Sequence, residues 1–512
     1  MSRYRPFAYP VKAFGVNIKE FQANPNLADN TNQINAAILE AISSGRKVIG
    51  PPGVYTTTGT INLGTAATPA AVWFEGTPGF VIDHRPPNDT TDAVVVAGLD
   101  AGRTIVNGVH IKGMQGGYGY GRDLIRVSKG DYPCFYDVSL TNPKRDAFHV
   151  RPTASNQWVE NMWLEHVKVQ FASKTSTTIN FAGGISSSDT SVTVANGAFT
   201  TAVAPFNILI ENEVITVGVV AGNVFSSLTR GAEGTTAAAH ADGVTVASFI
   251  GRDGFHFEVQ GAWTSSYKPF INQVTLNNCE TRSSTRHALM LLNTITGGTN
   301  ANKLSCFTIT GDTELAGEKG PHALVRLQAD TQPIENISFD GCAIENTNAE
   351  RTGAGIEVTG NCSGMFRVEN TVIFGTGAGT GVASILGHDN FPHYYVRNIN
   401  GSAYAPLYSS HTGISKKVRT AALAQNATED VHTLIDGEWL EVLVTDQNNG
   451  SNNKTWFARA TVIGRQVMVS ASNFNLNVTI TEVSGQLRIT NTHATTKALE
   501  VFIMRVHKDT GA

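Results

Sequence analysis

A chain of 512 residues with 50 glycines and only 16% charged residues has the composition of a turn-rich all-β protein. Its formal net charge of −4 is small for this length, which argues against nucleic acid as the main partner. No apolar run reaches the ~20 residues of a membrane span, and the N-terminal sequence lacks the pattern of a secretory signal. The five cysteines are odd in number and show no Cys-x-x-Cys spacing. We therefore expect buried thiols in a protein made in a reducing cytosol. The sequence has no strong zinc or calcium ligand spacing, and neither a metal nor a cofactor is expected.

One short phrase recurs through the middle of the chain: Arg145–Val150 (RDAFHV) returns as Arg252–Phe257 (RDGFHF), and looser copies follow. The apolar anchors of four copies recur at a nearly constant interval, at Phe255, Leu289, Leu324 and Ile356. A second phrase, of alternating apolar and polar residues, lies between the copies and begins at Val138, Met162, Val274, Phe307 and Ile337. A fixed period built from short strands is typical of a solenoid. The sequence therefore predicts an all-β fold, a right-handed parallel β-helix.

The segment 1–63 is predicted to form the entrance of the coil and its cap. Asn30 is the expected N-cap of a helix, with Gln33 completing a capping box. Apolar side chains then share one helical face that ends at Gly45, namely Ile34, Ala37, Ile38, Ala41 and Ile42. An amphipathic helix at this place would cover the open strand edges and the apolar interior at the end of the stack.

The rest of the chain divides by pattern. Residues 64–178 and 250–400 are predicted to carry the two parts of the β-helix. The repeat stops at 179–249, which predicts an inserted β-module, and both a binding role and a purely decorative role stay open for it. Residues 401–416 are predicted to be a linker, and longer alternating strands within 417–512 predict a C-terminal β-sandwich.

The entrance carries sequence runs that resemble a known family. VKAFG at 11–15, the Asp/Asn-Thr opening of an INAAI helix at 34–38, and VIGPPGVYTTTGTINL at 48–63 are similar to the entrance of pectate-lyase-like β-helices. They resemble in particular those of bacteriophage tailspikes and capsule depolymerases. The usual GDGxTDDT run of the family is degenerate here, and Asn24–Thr31 stands in its place. The inserted segment Leu228–His240 is similar to small modules that recur in phage structural proteins.

The resemblance implies a virion tail protein, made in the host cytoplasm, that acts at the host cell surface. It implies that the protein binds and depolymerises a bacterial surface polysaccharide, a capsule or an O-antigen. It also implies a homotrimer, with the C-terminal domain serving trimerisation or carbohydrate binding. Other phage tail proteins are the further partners implied, and attachment through one of them, or a truncated chain, is expected because no long N-terminal anchor domain is seen.

Carboxylates on neighbouring turns are the candidates for chemistry. Glycosidic hydrolysis needs one carboxylic acid to protonate the leaving oxygen and one carboxylate to attack or to activate water. Glu280 ends one copy of the second phrase, and Asp312 and Glu314 follow the next copy, about one turn later. Equivalent positions on adjacent turns stack ~4.8 Å apart, so these three are the predicted catalytic residues. The alternative is that they are solvated turn residues, and retention or inversion of the anomeric centre stays open.

A column of polar residues precedes the apolar anchors, at Asp146, Asp253, His287 and His322. We predict a turn-forming role for Asp146 and substrate-binding roles for the other three. His149 and His256, also aligned, are predicted to form a surface column rather than a metal site.

Four further residues complete the predicted substrate-binding set. Trp263 and Tyr267 fall in one loop, where aromatic rings could stack on sugar faces. Arg282 and Arg286 suit an acidic glycan.

Two alternatives to hydrolysis remain open at this stage. A polysaccharide lyase would use neutral His287 or His322 as its base and Arg282 to stabilise the enolate. A non-catalytic receptor-binding fibre would use the same groove for adhesion only.

Overall fold

The computed structural model describes most of the chain between residues 15 and 508. The described ranges are 15–65, 69–88, 90–98, 102–113, 122–152, 157–171, 175–199, 204–249, 251–262, 269–284, 286–296, 304–317, 322–346, 353–374, 385–397, 408–409, 413–424, 426–433, 438–446, 456–463, 466–471, 478–484, 486–491 and 497–508. The chain forms two compact units. The first comprises Met1–Cys362 with Thr371–Asn390, and the second comprises Ser363–Asn370 with Phe391–Ala512.

The first unit begins with the predicted amphipathic helix, Thr31–Ser44, after a short 3-10 helix at Ile18–Phe21. Its apolar face is buried as expected, and Gly45 ends it with φ 63°, a left-handed conformation that glycine adopts without strain. The predicted capping box is wrong. Asn30 occupies the N-cap, but its Oδ1 accepts the Asn24 N–H (2.7 Å) and its amide donates to the Thr56 carbonyl (3.2 Å). The side chain therefore ties the helix to the coil instead of capping it.

The first unit is a parallel β-helix of about 10 turns, in which each turn contributes strands to three faces. Face A comprises Ile61–Leu63, Val94–Ala97, Ile125–Lys129, Phe148–Val150, Asp253–Ala262, His287–Thr296, the first parts of Val325–Asp340 and Ile356–Glu369, and Ile385–Leu386. Face B comprises Val16–Asn17, Val48–Gly50, Trp73–Gly76, Arg103–Asn107, Tyr132–Tyr136, Trp158–Glu165, Phe270–Asn277, Leu304–Thr310 and the second part of Val325–Asp340. Face C comprises Gly53–Thr57, Phe80–His84, His110–Lys112, Ser139–Thr141, Lys168–Gln170, Glu280–Ser284, Glu314–Gly317, Ala343–Asn346 and Val372–Phe374.

The register confirms the repeat and corrects it at one copy. Phe255 pairs with Leu289 as predicted, but Leu289 pairs with Val325 rather than with Leu324. Leu324 and Val325 are both buried, so apolar pattern alone could not choose between them. Inward-facing side chains stack from turn to turn and form the core, including the Phe148–Phe255 pair with ring centroids 6.1 Å apart.

The second phrase is confirmed at four of its five copies. Met162, Val274, Phe307 and Ile337 occupy one register column on face B. The copy at Val138 is wrong, because Ser139–Thr141 lies on face C and the face B strand of that turn is Tyr132–Tyr136. Strands of both faces alternate apolar and polar residues, so the pattern did not distinguish them.

Two thiols occupy the stacked interior positions that the sequence predicted. Cys279 and Cys342 are buried and reduced, and their Sγ atoms lie 3.5 Å and 3.2 Å from the carbonyls of Leu164 and Ile309.

The inserted module is antiparallel and has its own apolar core. One sheet comprises Ser176–Thr178, Phe206–Ile210, Glu213–Val217, Thr229–Ala232 and Thr245–Phe249, and a second comprises Ser191–Thr193, Val219–Ala221 and Val224–Ser226, with a 3-10 turn at Gly197–Phe199. The coil continues across the module, because Phe148 pairs directly with Phe255.

The second unit contains a β-sandwich of antiparallel strands. One sheet comprises Gly413–Leu423, Glu438–Asp446, Trp456–Ile463, Gln466–Ala471 and Lys497–Lys508, and the other comprises Thr428–Thr433, Val478–Val483 and Gln486–Asn491. The same unit holds His393–Arg397, paired with the end of Ile356–Glu369 and with Tyr408–Ser409. The strand that begins at Gly413 starts inside the predicted 401–416 linker, of which 401–407 and 410–412 lie outside the described residues.

Candidate functional site

Three glutamates lie on neighbouring turns of face C, and we call Glu280, Glu314 and Glu345 the acidic cluster. Glu280 and Glu314 are direct register partners. Glu345 lies on the next turn, two residues after the partner of Glu314. The residues that follow the first two, Thr281 and Leu315, are fully buried, so by strand alternation the glutamates face outwards.

Arg282 lies among the carboxylates of this cluster. Its Nε contacts Glu280 Oε1, and its Nη2 lies 4.0 Å from Glu314 Oε2. Lys168 approaches Glu280 from the preceding turn, with Nζ 3.7 Å from Oε2. The side chain of Arg282 is 60% exposed, whereas those of Glu280 and Glu314 are 19% and 32% exposed. The cluster is therefore open to solvent but partly desolvated.

The carboxylates of the cluster have different electrostatic surroundings. Partial burial raises the pKa of Glu314, and the negative charges of Glu280 and Glu345 raise it further against the opposing effect of Arg282. Glu280 lies against two cationic groups instead. Two carboxylates with such unlike surroundings are the arrangement that separates a proton donor from a charged partner.

The structure brings Glu280 and Glu314 together but leaves Asp312 outside the cluster. Asp312 is exposed in the turn that follows Gly311, and its N–H donates to Asn278 Oδ1 at 2.9 Å. No contact between its carboxylate and either glutamate is found among the described residues. Glu345 was missed in the sequence because it lies two residues further along its strand than the repeat predicts.

A second set of charges runs along the start of the face A strands, and we call it the charge ladder. Each aspartate of one turn lies within 4 Å of an arginine of the next turn. The aspartates are Asp92, Asp123, Asp146 and Asp253, and the arginines are Arg122, Arg145, Arg252 and Arg286.

The last three contacts of the ladder, in chain order, are bidentate. Arg145 donates to both oxygens of Asp123 (2.8 and 2.5 Å), and Arg252 donates to both oxygens of Asp146 (2.9 and 2.5 Å). Arg286 donates in the same way to Asp253, with Nε 2.8 Å from Oδ1. Burial raises the pKa of Asp146, but Arg252 and the adjacent His256 outweigh it and hold that pKa well below its usual range. These carboxylates are therefore ionised and fully paired.

This geometry does not support the predicted groove roles of Asp253 and His287. Asp253 is fully buried beneath Arg286, and His287 is 3% exposed with Nδ1 2.6 Å from the Ala323 carbonyl. Burial holds the pKa of His287 well below its usual range. A polymer outside the coil cannot reach either side chain, and Arg286 is itself committed to Asp253 and to Glu233 of the inserted module.

The predicted surface column of His149 and His256 is wrong, because both rings are buried and stacked with centroids 4.7 Å apart. His149 lies between two carboxylates, with Nδ1 2.8 Å from Asp123 and Nε2 3.2 Å from Glu258. Burial alone would lower the pKa of His149, but Asp123 and Glu258 raise it to about 9. The constant Arg-Asp-x-x-His spacing was the sequence signal for this buried pairing.

The atoms of Asp146, His149 and His256 lie close enough together to suggest a metal site. However, Arg252 Nη2 lies 2.5 Å from Asp146 Oδ2 and 3.0 Å from His256 Nδ1. The guanidinium thus occupies the place that a cation would take, and its charge would repel one. The cluster is better explained as part of the charge ladder.

The remaining predicted binding residues are not brought to one place by the described structure. His322 lies one register position away from His287, although the two rings contact each other with centroids 5.5 Å apart. Trp263 and Tyr267 lie outside the described residues.

In the inserted module, basic side chains of the segment Leu228–His240 contact Glu213. Arg230 contacts its Oε2 at 2.7 Å, and His240 Nε2 lies 2.8 Å from the same oxygen. Burial raises the pKa of Glu213, but these hydrogen bonds lower it to about 2. The basic residues of the segment therefore stabilise the module.

Comparison with known proteins gives similarities in structure only. No protein-family model and no curated protein sequence matches the chain. The tailspike protein of Acinetobacter phage vB_ApiP_P1 is 13% identical with a TM-score of 0.35, over 96% of this chain and 87% of that one. ORF18 of Geobacillus virus E2 is 13% identical with a TM-score of 0.38, over 92% and 83%. Tailspike gp49 of Acinetobacter baumannii bacteriophage Fri1, a capsular polysaccharide depolymerase, is 9% identical with a TM-score of 0.29, over 98% and 87%. The assignment of the fold rests on the strand register itself.

No helix in the part of the chain that the structure describes has the length and apolar character of a membrane crossing.

Proposed function

We propose that this chain is a depolymerase of the tailspike type that hydrolyses glycosidic bonds of a bacterial surface polysaccharide at the acidic cluster. The observation that carries the proposal is the register pair of Glu280 and Glu314, two outward carboxylates on adjacent turns with different surroundings. Hydrolysis of a glycoside requires this pairing of a protonated and an ionised carboxyl group.

In the proposed reaction Glu314 is the general acid. Partial burial and the neighbouring glutamates raise its pKa, which is the direction a general acid requires, and its proton passes to the leaving glycosidic oxygen as the bond to the anomeric carbon breaks. Glu280 is the second carboxylate, which attacks the anomeric carbon or takes a proton from the attacking water. Arg282 is a positioning residue that lies against Glu280 and limits the rise in the pKa of Glu314.

The biological setting in this proposal rests on the sequence resemblance of the entrance region. It comprises a homotrimer in the virion tail, contacts with other tail proteins, and action at the host cell surface. A coil with a continuous outer face suits an extended polymer, because successive turns can contact successive sugar units.

A lyase reaction is less well supported by the geometry. Of its two predicted bases, His287 is buried inside the coil with Nδ1 2.6 Å from the carbonyl of Ala323. The ring of the other, His322, contacts the ring of His287 with centroids 5.5 Å apart. Arg282 lies instead among the glutamates of face C.

The test compares the wild type with Glu314→Gln, Glu280→Gln and Asp312→Asn on purified capsule or O-antigen of a susceptible host. Size-exclusion chromatography reports chain length, and ultraviolet absorbance reports unsaturated ends. We expect both glutamine variants to lose on the order of 10²–10⁴-fold in cleavage rate while they still bind polymer. Asp312→Asn is the matched control, from the same turn but outside the cluster, and should cleave like the wild type.

Other outcomes would contradict the proposal. Unsaturated ends in the wild-type product would establish a lyase. Intact polymer with retained binding would establish an adhesin. Full activity of both glutamine variants would mean that the catalytic site lies outside the acidic cluster.

A further inference from the structure

A cavity of about 320 Å³ opens on the outer side of face A near the beginning of the coil. Its floor is one register column, in which Asn62, Val95 and Arg126 follow each other on three successive turns. The volume lies at the lower end of the ~300–1,000 Å³ range of small-molecule sites. This cavity is separate from the acidic cluster, which lies on face C several turns further along.

Most of the described side chains that line this cavity are of polar type. Among the described residues the lining consists of hydroxyl and amide side chains, including Thr60 and Gln157, together with the Asp92–Arg126 ion pair and one apolar side chain, Val95. Small-molecule sites in proteins are predominantly apolar with a few polar groups. A lining of this kind matches a ligand that is itself covered with hydroxyl groups.

The charge of the cavity comes from Arg126. Its Nε lies 2.7 Å from Asp92 Oδ2 as an ion pair without hydrogen-bond alignment, and no hydrogen bond of its two Nη atoms is found among the described residues. A second guanidinium, that of Arg122, lies 3.9 Å from the other oxygen of Asp92. Two cations therefore face one carboxylate, and burial together with the nearby Asp123 raises the pKa of that carboxyl group. The described lining therefore holds one cation and one anion, and Arg122, outside the lining, adds a second positive charge beside that anion.

We propose that this cavity is a binding subsite for an acidic sugar unit, with the free end of the Arg126 guanidinium on the sugar carboxylate. The flat fork of a guanidinium binds a carboxylate through two parallel N–H donors. The surrounding hydroxyl and amide groups exchange hydrogen bonds with the sugar hydroxyls. The inference rests on the proposed function only in taking the ligand to be a saccharide, and it requires no catalysis at this place.

The experiment measures binding of sodium D-glucuronate, D-glucose and sodium acetate to the full chain by saturation-transfer NMR and calorimetry. Two variants alter the cavity in different ways. Arg126→Gln removes the cation, and Val95→Trp fills the space while it leaves every charge in place. Arg326→Gln is the matched control, since Arg326 occupies the same register column further along and is paired with Glu357 at 2.9 Å.

We expect saturable binding of glucuronate, with weaker binding of glucose and of acetate. Both cavity variants should lose affinity by at least about tenfold, the loss expected for a missing charge-assisted contact. The control variant should bind like the wild type. Thermal unfolding of each variant verifies that the coil is folded, and Val95→Trp decides the question if Arg126→Gln does not fold.

Several results would overturn the inference. They are no saturable binding of glucuronate, equal binding of glucose and glucuronate, or unchanged binding in Val95→Trp. Cleavage of polymer is measured separately on the same samples, and the inactive Glu314→Gln variant should still bind glucuronate. A failure of this subsite is thereby distinguishable from a failure of the proposed hydrolysis.

Discussion

The charge ladder and the acidic cluster both combine carboxylates with cations on the same coil, yet they differ in how many cations accompany each carboxylate. In the ladder, every aspartate is almost fully buried and has an arginine of its own on the next turn. In the cluster, three partly exposed glutamates share two exposed cations, Arg282 and Lys168, and both of these contact Glu280. Fully paired carboxylates hold turns together, and surplus carboxylates are available for proton transfer. The local ratio of arginine to acid distinguishes the two, whereas the spacing of the acids does not.

Removing one carboxylate from the ladder should have the largest effect on stability. Asp146→Asn removes the fully buried carboxylate that binds Arg252 through two hydrogen bonds and leaves Arg252 only the longer 3.6 Å contact with Asp253. Loss of one partner of a buried pair costs about 3–5 kcal/mol. The measurement is the free energy of unfolding of the first unit in urea. The matched control is Glu357→Gln, which breaks the half-exposed pair with Arg326 and should cost at most about 1 kcal/mol. Equal losses in both variants would mean that the ladder contributes no more than a surface ion pair.

The pH dependence of stability should come next in size, and it depends on His149. The folded-state pKa of His149 is about 9 and its ordinary value is 6.5, so its contribution is full below pH 6.5 and is lost as pH rises to about 9. The difference corresponds to roughly 3 kcal/mol. The charged groups that face this imidazole are Asp123, Asp146, Glu258, Arg145 and His256.

His256, the neighbouring histidine, changes the stability with pH in the opposite direction. Burial lowers the pKa of His256, so the stability of the folded state rises with pH until the unfolded histidine has lost its proton near pH 6.5. We therefore expect a maximum of stability near neutral pH. His149→Gln should remove the decline between pH 6.5 and 9, whereas His166→Gln, a change to an exposed histidine, should leave the decline in place. Unfolding curves at both pH values check this, and an unchanged decline in His149→Gln would assign it to other groups.

The smallest effect on stability is expected at the arginine of the acidic cluster. Arg282 is 60% exposed, so Arg282→Gln should change the free energy of unfolding by less than about 1 kcal/mol. The same change should raise the pKa of Glu314, because Arg282 opposes the effects of burial and of the neighbouring glutamates. The alkaline limb of the kcat/KM profile for polymer cleavage should then move to higher pH. A limb that stays in place would exclude Glu314 as the titrating acid.

The fold could be predicted from the sequence because successive turns of a solenoid repeat the same pattern of residues. The RDAFHV and RDGFHF copies lie side by side, and one error of register arose where Leu324 and Val325 were equally apolar. Face B and face C could not be told apart at Val138, since both faces alternate with the same period of two. Periodicity indicates which side chains point inwards, but it does not indicate which of the three faces of the coil they belong to.

The candidate site was predictable only in part. Counting residues along the repeat placed both Asp312 and Glu314 about one turn after Glu280, and the strand register then identifies Glu314 as the partner. The burial of His149, His256 and Asp253 did not follow from the repeat, because it depends on arginines from the following turn that cover each aspartate. Hydropathy counts each of these side chains as polar and therefore as exposed, whereas ion pairing between turns makes them part of the interior.

The ion pair between Asp146 and Arg252 joins residues that are 106 positions apart, whereas the equivalent pair of Asp253 and Arg286 joins residues 33 apart. The loop-closure entropy grows only with the logarithm of loop length, so the longer connection costs about 1 kcal/mol more. The module also folds on its own core, which holds its two ends near each other. A coil of stacked turns can therefore accept a whole extra domain between two turns at little thermodynamic cost. In folding, the turn across the module should close later than its neighbours, since its two halves must first find each other across this longer connection.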